Sequence, residues 1–137
     1  MLQYEYWTKL NEEIDKNYPM FNSKKPQGKP WLDLTIGKPL AHIKLIFNTQ
    51  ISAIKVNLII PDGKEFFDCL YDSKDEIESE LGYELNWKRL DNKKVSRIEI
   101  MKKSDITNQN TWDENIKWHL DRASEFHEVF ADRVKNY

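Results

Sequence analysis

Ala41-His42-Ile43-Lys44-Leu45-Ile46-Phe47-Asn48-Thr49-Gln50, followed closely by Ile54-Lys55-Val56-Asn57-Leu58-Ile59-Ile60, is the stretch that decides the fold. In the first run Ala41, Ile43, Leu45 and Phe47 alternate with His42, Lys44, Ile46 and Asn48. In the second, Ile54, Val56, Leu58 and Ile60 alternate with Lys55, Asn57 and Ile59. A period of two sends successive side chains to opposite faces of a strand, so each run presents one aliphatic face and one mixed face. The polar gap Asn48-Thr49-Gln50 between them predicts a hairpin.

Upstream, Leu32, Leu34 and Ile36 alternate with Asp33 and Thr35, which predicts another half-buried strand, closed by a Gly37-Lys38-Pro39 turn. Before it, residues 20–30 hold Pro26, Gly28, Pro30 and the lysines Lys24, Lys25 and Lys29, an irregular connection whose charges read as keeping a Pro-rich loop solvated. Tyr4, Trp7, Leu10, Ile14 and Tyr18 recur at helical steps and Pro19 ends that helix.

Downstream, Asp62 is placed to cap a helix bearing Phe66, Leu70, Ile77 and Leu81. Asp72-Ser73 weakens its middle and Gly82 is positioned to stop it. Leu85 and Trp87, then Ile98 and Ile100, predict a second hairpin around Asp91-Asn92-Lys93. Thr111-Trp112-Asp113-Glu114 has capping-box form, and the helix it opens carries Ile116, Leu120, Ala123, Phe126 or His127, Phe130 and Val134 along one side. The expectation is a single α+β domain over residues 1–137. Its antiparallel or mixed five-stranded sheet and three helices follow the order α-β-β-β-α-β-β-α.

Charge follows this division. The strand-forming stretches 23–60 and 85–103 each carry a net +5, whereas the helical stretches 2–18, 62–84 and 104–137 carry −2, −7 and −3. If the helices cover one sheet face, the other should be positive. That face would carry Trp31, His42, Lys44, Lys55, Asn57 and Arg97, with Lys88 joining them in one register, and Ile46, Ile59 and Met101 among them. Cations interspersed with flat or apolar side chains suit nucleic acid, through phosphate contacts and stacking. Alternating apolar and basic residues also occur on plain solvated or partner-covered sheets, because lysine stems themselves cover apolar surface. Trp31, His42, Lys44, Lys55 and Arg97 are the candidate contacts. The alternative is a protein-docking or dimerisation patch made by Ile46, Ile59 and Met101.

Catalytic patterns are thin. Pro61-Asp62 with Asp72-Ser73-Lys74 formally matches the PD-(D/E)XK nuclease pattern, yet its second half falls in a helical run where the motif needs a strand. His42, His119 and His127 have no metal-ligand spacing, and His119 and His127 read as boundary residues of the last helix. Cys69, the one cysteine, reads as a small buried hydrophobe and permits no internal disulfide. With four glycines and neither a GxGxxG nor a P-loop, no cofactor is expected. A start without a basic-then-apolar leader and a longest apolar run of Leu58-Ile59-Ile60 predict a cytoplasmic protein with no membrane anchor.

Several segments together resemble a bacterial family of domains of unknown function, DUF4268. They are Tyr6-Trp7-Thr8-Lys9-Leu10-Asn11, Trp31 to Gly37, Phe66-Phe67-Asp68 with Leu70, Ile77 to Trp87, Arg89-Leu90, Ser96-Arg97-Ile98 and Phe126 to Phe130. The resemblance covers nearly the whole chain. It implies an accessory module of a DNA- or RNA-processing protein, one that often follows a PD-(D/E)XK nuclease-like domain at the C-terminus of a longer protein; the expectation here is that the module itself is non-catalytic. It supplies no catalytic residues for this part. Nucleic acid, a nuclease-like domain or a second copy are the partners it leaves open.

Overall fold

The computed structural model describes residues 2–137. Helix α1 (Leu2–Asn17) precedes strands β1 (Trp31–Thr35), β2 (His42–Asn48) and β3 (Ala53–Ile60). Helices α2 (Lys64–Asp72) and α3 (Lys74–Leu81) follow, then β4 (Asn86–Lys88), β5 (Ser96–Lys103) and the long α4 (Trp112–Lys135). All neighbouring strands are antiparallel, in the order β1-β2-β3-β5-β4. The α+β architecture is the one the periodicity predicts, with a purely antiparallel sheet and one more helix.

That extra helix comes from the break at Ser73. Its amide bonds back to Leu70 O while its own carbonyl accepts from Ile77, so one helix closes and another opens on the same residue. Gly82 ends α3 in the left-handed region, at φ 86°, where lack of a Cβ removes the steric cost. Two expected caps differ. Asp62 lies outside α2, whose N-cap is Gly63. Thr111 does stand at the start of α4 but makes no capping bond. Its hydroxyl is already committed to the carbonyls of Asp105 and Asn108, in a 3₁₀ turn that leads into the helix.

The helices lie on one face of the sheet. Leu34, Ile43, Leu45, Phe47, Ile54, Val56, Leu58 and Ile98 meet Trp7, Leu10, Ile14, Phe66, Ile77, Leu120, Phe126 and Phe130 in one continuous core. α1 contributes Tyr6 rather than Tyr4, because burial follows the helix side that touches α4; Tyr4 is exposed. Tyr6 packs edge-on against Trp7 and Trp112 and tilted against Phe47, at centroid separations of 4.6–5.3 Å.

His119 is the main departure from expectation: it is fully buried under α4 rather than at its boundary. Its Nε2 lies 3.1 Å from both Ile46 O and Lys55 O, and carbonyls only accept, so Nε2 carries the hydrogen. Nδ1 is therefore the acceptor for the Tyr6 hydroxyl at 2.7 Å. Burial without a counter-charge pushes the imidazole pKa down to about 3, and burial likewise raises the Tyr6 phenol well above its usual value. The neutral ring thus ties α1 and α4 to the β2–β3 ladder at the register pair Ile46 and Lys55.

A second polar lock holds the far side. Lys64, at the start of α2, donates to the carbonyls of Arg89, Leu90 and Val95 and to Ser96 Oγ, spanning the β4–β5 connection. Leu90 sits there at φ 56°, a conformation few side-chain-bearing residues adopt, with the ammonium gripping its carbonyl.

Candidate functional site

Among the described residues no helix lies on the second face of the sheet, and the strand register arranges that face in three rows. Trp31, Ile46, Lys55 and Met101 form the first. Asp33, Lys44, Asn57, Glu99 and Asn86 form the second, and Thr35, His42, Ile59, Arg97 and Lys88 the third. All five candidate residues, Trp31, His42, Lys44, Lys55 and Arg97, therefore share this face. Lys88 joins them because Trp87, opposite Ile98, turns to the helix side.

The face is less uniformly basic than the charge count predicts. Glu99, whose side chain is only 5% exposed, receives Lys88 Nζ at 2.6 Å and Lys55 Nζ at 3.6 Å. Asp33 stands 3.6 Å from His42 Nε2 and 3.9 Å from Lys44 Nζ. Partial burial of His42 lowers its pKa, outweighing the pull of Asp33, so the ring is neutral at pH 7. Four cations against two carboxylates leave the face at about +2. Alternation puts Glu99 on the face of Arg97 but does not reveal its pairing with Lys55 and Lys88, which lie on two other strands.

The positive field concentrates at the β1 edge. Trp31 is 39% exposed. Lys29 Nζ and Lys44 Nζ approach its ring to 5.4 and 5.2 Å from the centroid, within cation–π range. On one side of this indole is a groove of about 300 Å³ lined by Lys24, Lys25, Gln27, Lys29 and Asp33. On the other is one of about 440 Å³ lined by Lys44, Ile46, Asn48 and Arg97.

The loop lysines are exposed, as their reading as solvated loop charges expects, but the backbone at Lys24 and Lys29 is anchored. Asn11 of α1 clamps Lys24 through both its amide atoms, donating to the carbonyl at 2.6 Å and accepting from the amide at 2.9 Å. Trp7 Nε1 donates to Lys29 O at 2.7 Å. A buried asparagine on a helix facing a Pro-rich loop was the signal that could have revealed this anchoring.

The apolar patch is smaller than expected. Ile59 is 6% exposed, covered by its longer neighbours, whereas Met101 is 46% exposed and Ile46 half-buried. Elsewhere the chemistry stays dispersed. Cys69 is exposed on α2, not buried. Asp62 and Asp72 are exposed, with Asp72 and Lys74 on either side of the helix break rather than on a strand. Among the described residues no three His, Cys, Asp or Glu side chains gather as metal ligands. No helix among them is long and apolar enough to cross a membrane.

No curated protein and no solved structure matches the chain. A family model does: that of DUF4268, a domain of unknown function, which covers residues 2–134. The sheet, its helical cover and the segments that opened the resemblance all lie within that match, and the chain belongs to this family.

Proposed function

We propose that the protein is a non-catalytic module that binds nucleic acid, single strands above all, across the Trp31 corner of its second sheet face. The observation that carries this reading is the exposed indole held between two lysines where two lysine-lined grooves meet. A base stacks on an aromatic face whatever its identity, while lysines and arginine on both sides follow the phosphates. Lys24, Lys25, Lys29, Lys44 and Arg97 are the phosphate contacts, with Lys55 and His42 deeper in the face. In the cytoplasmic setting expected from the sequence, such a module would hold a strand for a nuclease-like domain, in the same protein or a partner.

The test is a titration of labelled single- and double-stranded oligonucleotides. With about five phosphates neutralised, affinity for single strands should fall about 100-fold between 50 and 200 mM salt. Trp31→Ala should weaken binding without changing the salt slope, and Lys29→Glu with Lys44→Glu should reduce both. No binding at 50 mM salt would overturn the reading.

A second reading has one observation in its favour: Trp31 and Met101 are the exposed apolar ends of a single row. Docking of a second copy or a nuclease-like domain there predicts that Met101→Glu abolishes association in sedimentation while leaving oligonucleotide affinity intact.

A further inference from the structure

Asn57 sits at the middle of the second face, on the central strand β3, with Lys44 opposite on β2 and Glu99 opposite on β5. Its own strand adds Lys55 and Ile59 on the same face. A short side chain ringed by long ones becomes the floor of the face, and Asn57 is 0% exposed. Neither its Nδ2 nor its Oδ1 has a hydrogen-bond partner. The same holds for Glu99 Oε2 and Arg97 Nε, both buried. Leaving a buried amide unpaired costs stability, so this floor is polar at the fold's expense.

We infer that this floor reads a base, and that it selects bases bearing an exocyclic amine. The inference rests on the nucleic-acid reading above and assigns the sheet centre a role that reading does not require. The four open atoms are two acceptors, Asn57 Oδ1 and Glu99 Oε2, and two donors, Asn57 Nδ2 and Arg97 Nε. Cytosine complements all four. Its N4 amine donates two hydrogens, and its N3 and O2 accept. Adenine supplies the amine and a ring nitrogen. Thymine has a single N–H and leaves one acceptor, Glu99 Oε2 or Asn57 Oδ1, unpaired in a desolvated place.

The cations around the floor are suited to uncover it. Lys44 and Lys55 flank it in the strand register on flexible stems and pair only loosely, Lys44 reaching toward β1 at 3.9 Å from Asp33 and Lys55 standing 3.6 Å from Glu99. On binding they turn outward to the phosphates that flank the inserted base. Glu99 keeps Lys88 at 2.6 Å, so one of its oxygens stays neutralised while the other accepts from the base.

The experiment compares labelled homo-oligomers of cytosine, adenine and thymine at one salt concentration, with the full chain. Cytosine should bind about tenfold more tightly than thymine, the discrimination of one good bidentate contact. Asn57→Leu should abolish the difference between cytosine and thymine and leave the salt slope unchanged. Asn57→Ala, smaller than the native side chain, gives the same readout if leucine crowds Glu99. Equal affinities for cytosine and thymine in the native protein overturn the inference and leave the general binding reading standing. Preference retained in both Asn57 variants also overturns it. Absence of binding to any oligomer overturns the two together.

Discussion

The two faces of the one sheet are built by different rules. Under the helices, β1, β2, β3 and β5 contribute aliphatic side chains and β4 contributes Trp87, and most polar groups that enter are paired, although Asn115 Oδ1 is not. The Trp7 and Trp112 indoles donate to carbonyls, and His119 uses both ring nitrogens. On the second face the same strands carry lysines, an arginine, two carboxylates and an asparagine. Of the six buried side-chain polar atoms without a hydrogen bond among the described residues, four belong there, to Asn57, Arg97 and Glu99; one of the other two, Arg122 Nε, still ion-pairs with Glu125 at 2.8 Å. One face is therefore optimised for folding. The other tolerates unpaired groups, as expected of a surface kept for a ligand.

The largest expected break in this contrast is Trp7→Ala against Met101→Ala. Trp7 is fully buried and anchors the Lys29 carbonyl, so its loss should cost about 3–5 kcal/mol in denaturant titrations. Met101→Ala should stay within about 0.5 kcal/mol. Similar losses would mean that the second face is as much a core as the first.

Acid comes next. The folded pKa of His119 is held near 3 while the unfolded chain titrates near the ordinary histidine value, so below that value the unfolded state binds the extra proton. Stability is then fully present above about pH 6.5 and falls as pH drops toward 3, by about 1.4 kcal/mol per unit at full slope. His42, also lowered, adds a smaller part in the upper window. Denaturant melts from pH 7 to 4.5 should show this slope, and His119→Gln should flatten most of it. An unchanged slope in the variant would place the acid sensitivity elsewhere.

The smallest effect has the most telling sign. Asn57→Leu replaces an unpaired buried amide with an apolar group of similar size, and should raise stability by about 1 kcal/mol in thermal unfolding. A leucine on the second face would then help folding while removing the base preference. A loss of stability would mean that the Asn57 amide is satisfied in solution, and the contrast between the faces would narrow.

Much of this was legible in local sequence. Alternation in 41–47 and 54–60 set those strands and their inward residues, and Gly82 and Ser73 marked the helix ends, because backbone periodicity and φ preferences act within a few residues. The misreadings share a cause. Tyr6, His119 and Asn57 are buried by neighbours that lie 113 residues away, as for Tyr6 with His119, or on adjacent strands. The exposure of Cys69 and the burial of Ile59 on its expected face escaped for the same reason.

By itself, the sequence determined the α+β class, the membership of each face and the segregation of charge. These follow from periodicity and composition, which need no knowledge of strand order. Only the tertiary structure decided that β5 comes to lie beside β3. That adjacency sets Glu99 and Arg97 around Asn57 and, with the β4–β5 pairing, moves Lys55 and Lys88 from the free positive field onto a buried carboxylate. The physical reason is range. Hydrophobic alternation specifies a strand from within, whereas the pairing of charges and the burial of short polar side chains depend on which other strands arrive beside it.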